Sequence, residues 1–485
     1  MLIPSIGPHD EAILPASQLA WLARLPDSEA SAHAAQNDAM QLEYSLGHEL
    51  AWDAWGSQLL KSDLSSALER LGRAMHDQIP PALDAALGLA EDEEGWKEVP
   101  LFHACRVTVG RATLGFTLGD SPVGRMLCHN EPFLQACYSA VDGILEVAGV
   151  VMILPRTVAR PLIARLAGLR MWARLRTLRR CFEPLYRERM QMIQARLANE
   201  KAGGDDAKVP SDFLHMMLQF AVRERPAEAN SLTAMTKRLA HSNFGTIFQS
   251  VFALQNLILN VLASDAEFDT VAVLRAELAA VFGPDVLSPS SSSSSSTTTD
   301  HDETNNKRQT WTRAQIAALT RADSATRETL RLHSFIGRTM QRVVVAPAGL
   351  TTPDGIHLPR GTTLSILAYE PQTDPSVFGP DAEKYDPFRF SRVREAARTE
   401  DGRPGLANLS LVATSADYLP WSYGRHACPG RFLVDFELKM ILADLLARYE
   451  IELPGGVRPP NKWITGLAVP PLDATIRVRR RRAAV

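Results

Sequence analysis

Cysteine is scarce in this chain. Its 485 residues hold five, Cys105, Cys128, Cys137, Cys181 and Cys428, an odd number at irregular spacings. That argues against a disulfide framework, and without a Cys-x-x-Cys pair it argues against the usual zinc sites. The first four are expected to be buried or free thiols of a reducing compartment. No Gly-x-Gly-x-x-Gly opens a strand–turn–helix unit, so no dinucleotide or flavin fingerprint is present. No apolar run reaches eighteen residues; the nearest, Gly143 to Pro155, is interrupted by Glu146 and is expected to be a buried helix. Residues 1–16 carry three prolines and no basic leader before an apolar core, which is unlike a signal peptide. Charge of one sign is lacking too. With 52 Lys and Arg against 55 Asp and Glu, the net charge of −3 leaves no electrostatic footprint for nucleic acid. The run Arg477-Val478-Arg479-Arg480-Arg481-Arg482 is read as a short solvated tail.

What is present is ample material for a core, 45% of the residues being hydrophobic. Length alone would suggest two or three domains. Gln41 to Leu50 and Trp52 to His76 read as helical, and Val158 to Asn199 as one or two Arg-rich amphipathic helices with a solvated face. A long apolar helix is expected from about Ala234 to Ala263. Further helices are expected at Ala266 to Phe282 and Trp311 to Leu332, and a strand over Gln341 to Ala346. Between the last two helices, Ser288 to Thr310 holds seven consecutive serines and little apolar material. It reads as a low-complexity insertion in a surface loop, which loop-closure entropy tolerates.

Three motifs carry chemistry. Trp421-Ser422-Tyr423-Gly424-Arg425-His426-Ala427-Cys428-Pro429-Gly430 sets one cysteine among turn-forming residues, just before an apolar helix. Gly424 and Gly430 permit close approach to a large planar ligand, and Pro429 suits the opening of the helix. The helix N-terminus favours negative charge on the Cys428 sulfur. Upstream, Glu328 and Arg331 lie three apart on one helix face and can pair. Tyr385-Asp386-Pro387-Phe388-Arg389-Phe390 then places an arginine between aromatics. In this order the motifs resemble the cytochrome P450 family.

The resemblance implies a mainly α fold, a large helical domain with a small β-sheet lobe, formed by residues 1–485 as a single domain with 288–310 inserted. It implies haem b (iron protoporphyrin IX) with Cys428 as its metal ligand, and a structural triad of Glu328, Arg331 and Arg389. It places His426 and Arg342 towards the haem propionates, Trp421 beside the sulfur, and Lys61 at the haem edge. Phe244, Phe248, Phe335 to Gly337 and Thr465 to Val469 would wall an apolar substrate site. In the central helix, Gly245 and Thr246 take the places of the family's small pair. Phe248 takes that of the acid or histidine and Gln249 that of the threonine, with Ser250 following. Phe248 cannot relay a proton, and Gln249 donates hydrogen bonds without shuttling one. Ser250 or Thr246 is left to substitute.

The expected activity is a haem-thiolate monooxygenase acting on a hydrophobic small molecule, with electrons from a separate NADPH-cytochrome P450 reductase. Fungal secondary metabolism or xenobiotic oxidation is the expected setting. The alternatives are a haem-thiolate isomerase or dehydratase needing no electrons, or a haem-binding protein with little turnover. Family membership implies the cytoplasmic face of the endoplasmic reticulum membrane. The resemblance is read as starting near Ala16 and running to about residue 482, so the N-terminal part is expected to be truncated.

Overall fold

The structure, a computed structural model, describes residues 2–3, 10–53, 55–89, 95–152, 159–201, 212–287, 311–399, 409–464 and 466–481. The expected insertion at 288–310, together with Thr465 and Arg482, lies outside them.

Helices dominate, and apolar periodicity explains which faces they bury. Trp55–His76, Leu101–Leu118, Glu131–Met152, Leu232–Ala263, Thr320–His333 and Arg431–Arg448 pack about one hydrophobic core. Glu131–Met152 and Leu232–Ala263 are long and apolar enough by length and composition to cross a bilayer, although no uninterrupted apolar run signals it. Most of each is buried in the protein, so their apolarity serves the core. The Arg-rich segment forms a single helix, Ala159–Lys201, with Pro184 inside it. The expected Trp311–Leu332 helix is instead two, Arg313–Ala318 and Thr320–His333. Thr312 and Gln315 form a capping box on the first, and Leu319 breaks it from the second.

The sheet portion is small. A five-stranded sheet runs in the order Leu2–Ile3, Glu11–Leu14, Thr363–Leu367, Arg338–Val344, Ala30–Ser31. Glu11–Leu14 lies parallel to Thr363–Leu367, with Glu11 opposite Thr363, and the other pairs are antiparallel. Its own apolar cluster includes Leu14, Leu22, Leu364, Ile366 and Leu419. Segments more than 300 residues apart thus share one sheet, which local pattern cannot announce.

The basic C-terminus corrects the expectation of a solvated tail. Thr475–Arg480 is the central strand of a three-stranded sheet between Lys97–Pro100 and Tyr449–Glu452. Ile476 and Val478 point into the core, while Arg480 pairs with Asp84 and Arg481 with Glu450. Arg477 and Arg479 lie over the Trp96 ring. Alternation of apolar and basic residues was the strand signal.

Candidate functional site

The cysteine loop is closed by its own backbone. Cys428 N–H donates to the Trp421 carbonyl at 2.8 Å, and Ala427 N–H to that of Gly424. Ser422 and Gly424 sit in the left-handed region, with φ of 60° and 73°. Only glycine adopts that conformation cheaply, so Gly424 is matched to its place and Ser422 is not. The helix starts at Arg431 with Gly430 as its N-cap, two residues later than Pro429 implies. A Cβ on Gly430 would lie 3.8 Å from the Cys428 sulfur, so the glycine keeps that flank of the thiol clear. Arg431 donates to the Cys428 carbonyl at 2.7 Å and adds positive potential beside the thiol.

Trp421 departs from expectation. Its ring is buried, but Nε1–H donates to the Leu411 carbonyl at 2.7 Å rather than serving the sulfur. A buried indole donor takes the acceptor within reach, and here that is backbone.

Glu328, Arg331 and Arg389 lie together. Glu328 and Arg331 are fully buried and paired twice, Nε to Oε2 and Nη2 to Oε1, both at 2.7 Å. Arg331 Nη1 donates to the carbonyls of Gln372 and Ala382 at 2.5 and 2.6 Å. Arg389 Nε reaches Glu328 Oε1 at 3.0 Å, and its other nitrogens bind the carbonyls of Phe378, Asp381 and Lys384. Every donor of the Arg331 fork named here meets an acceptor, the condition under which buried charge is tolerated.

Arg342, His426 and Arg425 gather about Asp27. His426 Nε2 lies 3.1 Å from Asp27 Oδ1, and Arg425 Nε donates to the same ring nitrogen at 3.0 Å. Arg342 is 3% exposed, and its Nε is buried with no partner among the described residues. Burial pushes its pKa down to about 10, with Asp27 acting the other way. An orphaned buried guanidinium donor in a net-positive cluster fits the carboxylates of a haem. The cleared flank at Gly430 and the soft sulfur donor fit its metal. Lys61 lies on the helix Trp55–His76, and its side chain is outside the described residues.

The central helix is interrupted by one π turn, Phe244–Phe248, between Leu232–Asn243 and Gln249–Ala263. Such turns insert one extra residue and shift the faces on either side. Phe244, Ile247 and Ser250 are buried, whereas Gly245 is exposed and Thr246, Phe248 and Gln249 are half-buried. In a helix otherwise packed in the core, that exposure marks an open space on one side. A Cβ on Gly245 would meet nothing within 4 Å. The Thr246 hydroxyl donates to the Ser242 carbonyl at 2.9 Å. Ser250 does not share the open face. It turns towards Glu437, nine residues beyond Cys428, which accepts from Thr113 Oγ1 at 2.8 Å. The sequence reading missed Glu437 and Thr113. Acids inside the largely apolar helix Arg431–Arg448, Asp435, Glu437 and Asp444, were the available signal; Thr113, 324 residues away, offered none.

Phe244, Phe248 and Phe335 lie close together. Phe248 stacks on Phe244 with centroids 6.0 Å apart, contacts Phe252 at 4.7 Å, and meets Phe335 edge-on at 6.4 Å. Gly337 N–H donates to the Gly466 carbonyl and Ala468 N–H to that of Phe335, binding the hairpin Lys462–Val469 to the Phe335–Gly337 turn.

Comparison with known proteins gives the family. Residues 297–478 match the family described as Cytochrome P450. Over 485 residues the chain is 38% identical to the cytochrome P450 monooxygenase pbrC of Penicillium brasilianum, covering 99% of this chain and 84% of that protein. It is 37% identical to astC of Aspergillus terreus, with the same coverage, and 36% to fumoB of Cordyceps fumosorosea, covering 99% and 80%. Both are also cytochrome P450 monooxygenases by name. The chain belongs to the cytochrome P450 family of haem-iron monooxygenases, and its mainly helical architecture is that family's fold. Coverage of 99% also includes residues before Ala16, so the similarity begins earlier than the sequence motifs indicated.

Proposed function

We propose that this protein inserts one oxygen atom of O2 into a hydrophobic small molecule of fungal secondary metabolism. Cys428 is the thiolate ligand of haem b, and a separate NADPH-dependent reductase provides the electrons. The loop that closes on Cys428 carries this reading. When bound, the haem supplies the redox and oxygen-activating chemistry, pushed by the thiolate.

The chain's residues do the rest. Arg431 and the N-terminus of Arg431–Arg448 favour the thiolate form of Cys428. The buried Arg342 Nε would hold one propionate of the haem, and His426 with Arg425 would hold the other. The triad of Glu328, Arg331 and Arg389 holds the surrounding loops in place. Phe244, Phe248, Phe252 and Phe335 exclude water and favour an apolar substrate. Gln249 is half-buried on the same stretch of helix, and the Thr246 hydroxyl, also half-buried there, is the group left to handle protons, Ser250 being buried towards Glu437.

We place the protein at the cytoplasmic face of the endoplasmic reticulum. Its helix Ala159–Lys201 supports this by exposing Leu162, Leu166, Leu169 and Trp172, each at least 56%, amid arginines.

The test is the carbon monoxide difference spectrum of the reduced protein beside Cys428→Ala. A strongly red-shifted Soret band, lost in the variant, is expected. A band typical of histidine ligation, or no haem uptake, overturns the reading. NADPH- and reductase-dependent product formation separates the monooxygenase from an isomerase or a non-catalytic haem protein.

A further inference from the structure

A cavity of about 260 Å3 opens between the end of the central helix, the end of Thr320–His333 and the loop before the hairpin Lys462–Val469. No residue of the cysteine loop lines it. Asn260, which does, stands eleven residues beyond Gln249, roughly 16 Å along the helix from the open face. The polar part of the cavity holds a cation without a counter-ion. Arg458 donates to neutral oxygens: Nη1 to the Pro459 carbonyl at 2.9 Å, Nη2 to Asn256 Oδ1 at 2.7 Å and to Asn461 Oδ1 at 2.8 Å. Among the described residues its buried Nε has no partner, and neither have Asn461 Nδ2 next to it or Asn260 Oδ1 on the central helix. Burial pushes the Arg458 pKa down to about 10, opposed by the Tyr385 phenol rather than by a carboxylate. His333 is pushed down to about 3 by burial and by Arg458 and Arg331, so it is neutral. The acids of the cavity, Glu267 and Glu383, lie on its exposed rim, and Glu267 is paired there with Lys384.

We infer that this cavity binds a small organic carboxylate, whose oxygens are held by Arg458 and Asn461. A largely buried guanidinium with no carboxylate leaves a charge uncompensated and a donor unused, and both cost stability. A carboxylate supplies the missing charge and accepts from the free Nε and Nδ2 in charge-assisted bonds. One buried cation suits one negative charge. A phosphate dianion would find no second, since Lys384 is held by Glu267. The volume falls just below the ~300–1,000 Å3 of drug-sized sites, and Phe268 and Tyr369 put rings in the walls. A compact body such as that of benzoate suits both features. The site also touches the substrate walls from outside the haem cavity. Asn256 joins Arg458 to the end of Thr320–His333, donating from Nδ2 to the His333 carbonyl at 3.2 Å, and Phe335 follows two residues later. Asn461 leads directly into Lys462–Ile464, the first strand of the hairpin bound to the Phe335–Gly337 turn. A carboxylate on Arg458 and Asn461 therefore steadies that hairpin.

The test is calorimetric titration of the full chain with benzoate, acetate and succinate, beside neutral benzamide and inorganic phosphate. At least one carboxylate should bind, about tenfold or more tighter than benzamide or phosphate. Asn461→Asp gives Arg458 a carboxylate of its own in nearly the same shape. It should weaken carboxylate binding by about tenfold or more and raise the Tm of the unliganded protein. Ala263→Phe fills the cavity while leaving Arg458 in place, and should abolish the binding. Neither variant should change the carbon monoxide spectrum, which separates this site from the haem cavity. With the carboxylate bound, amide exchange in Lys462–Ile464 should slow by about threefold or more. No carboxylate binding, equal binding of benzamide, a preference for phosphate, or binding unchanged in Asn461→Asp or Ala263→Phe overturns the site. Unchanged exchange overturns its link to the hairpin. A failed carbon monoxide spectrum with carboxylate binding intact would overturn only the monooxygenase reading.

Discussion

Two buried glutamates in this chain are handled in opposite ways. Glu328 lies paired between two arginines, and Glu437 lies among hydroxyls, where burial pushes its pKa up. Arg331→Ala should therefore cost about 3–5 kcal/mol, because it strands the Glu328 charge. Chemical denaturation at pH 7 measures this, and Arg331→Lys should recover only part of it, since a lysine cannot reproduce the fork. For Glu437 the sign runs the other way from a salt-bridged acid. Its folded pKa of about 7 lies above the ordinary 4.5, so between those values the native state holds a proton that the unfolded chain has released. Its contribution is fully present below pH 4.5 and is lost as pH rises through 7. Thermal melts of Glu437→Gln should show a smaller fall in Tm than the wild type between pH 5 and about 8. An equal fall would mean that Glu437 is not the group responsible.

Helix contacts depend on small residues at particular crossings. A Cβ on Gly115 would come within 2.6 Å of the Ala74 carbonyl oxygen, where Leu101–Leu118 crosses the end of Trp55–His76. Backbone cannot rotate away, so Gly115→Ala should cost about 1–3 kcal/mol despite alanine's better helix propensity. Gly149 is the control. It is exposed within Glu131–Met152 and a Cβ there meets nothing within 4 Å. Gly149→Ala should be neutral or stabilise by up to about 1 kcal/mol, as urea unfolding would show. At this scale the long central helix was legible from its apolar content, but its π turn was not. Phe244–Phe248 has no local signature, and the shift of face that sends Ser250 to Glu437 depends on what packs around it.

Over the whole molecule, one surface stands out. The exposed face of Ala159–Lys201 combines Leu162, Leu166, Leu169 and Trp172 with Arg165, Arg170, Arg176 and Arg180, and no acid precedes Glu183. Arg176 lies over the Trp172 ring, keeping cation and apolar surface together. Arginine about an apolar stripe suits an anionic bilayer surface. Flotation with phosphatidylserine-containing vesicles should fall by about tenfold or more for Leu166→Asp combined with Trp172→Asp, from lost burial of two large side chains. Binding should weaken with added salt, whereas vesicles of neutral lipid should bind less from the start. The carbon monoxide spectrum of the variant should be unchanged, since these side chains are outside the core.

Local chemistry was readable along the chain. A cysteine among turn residues before an apolar helix, a Glu and an Arg three apart, and an arginine between aromatics each carry their pattern within a few positions. Those patterns were enough to identify the family and to single out a thiolate candidate and a set of residues for the triad. What they could not contain was any partner chosen across hundreds of residues. The pairing of Glu11–Leu14 with Thr363–Leu367, the indole bond from Trp421 to Leu411, the gathering of Arg342 and His426 about Asp27, and the enclosure of Glu437 by Thr113 and Ser250 are of this kind. The physical reason is the same in each. A side chain's identity sets which bonds it can make, but burial sets which it must make, and burial belongs to the packed whole.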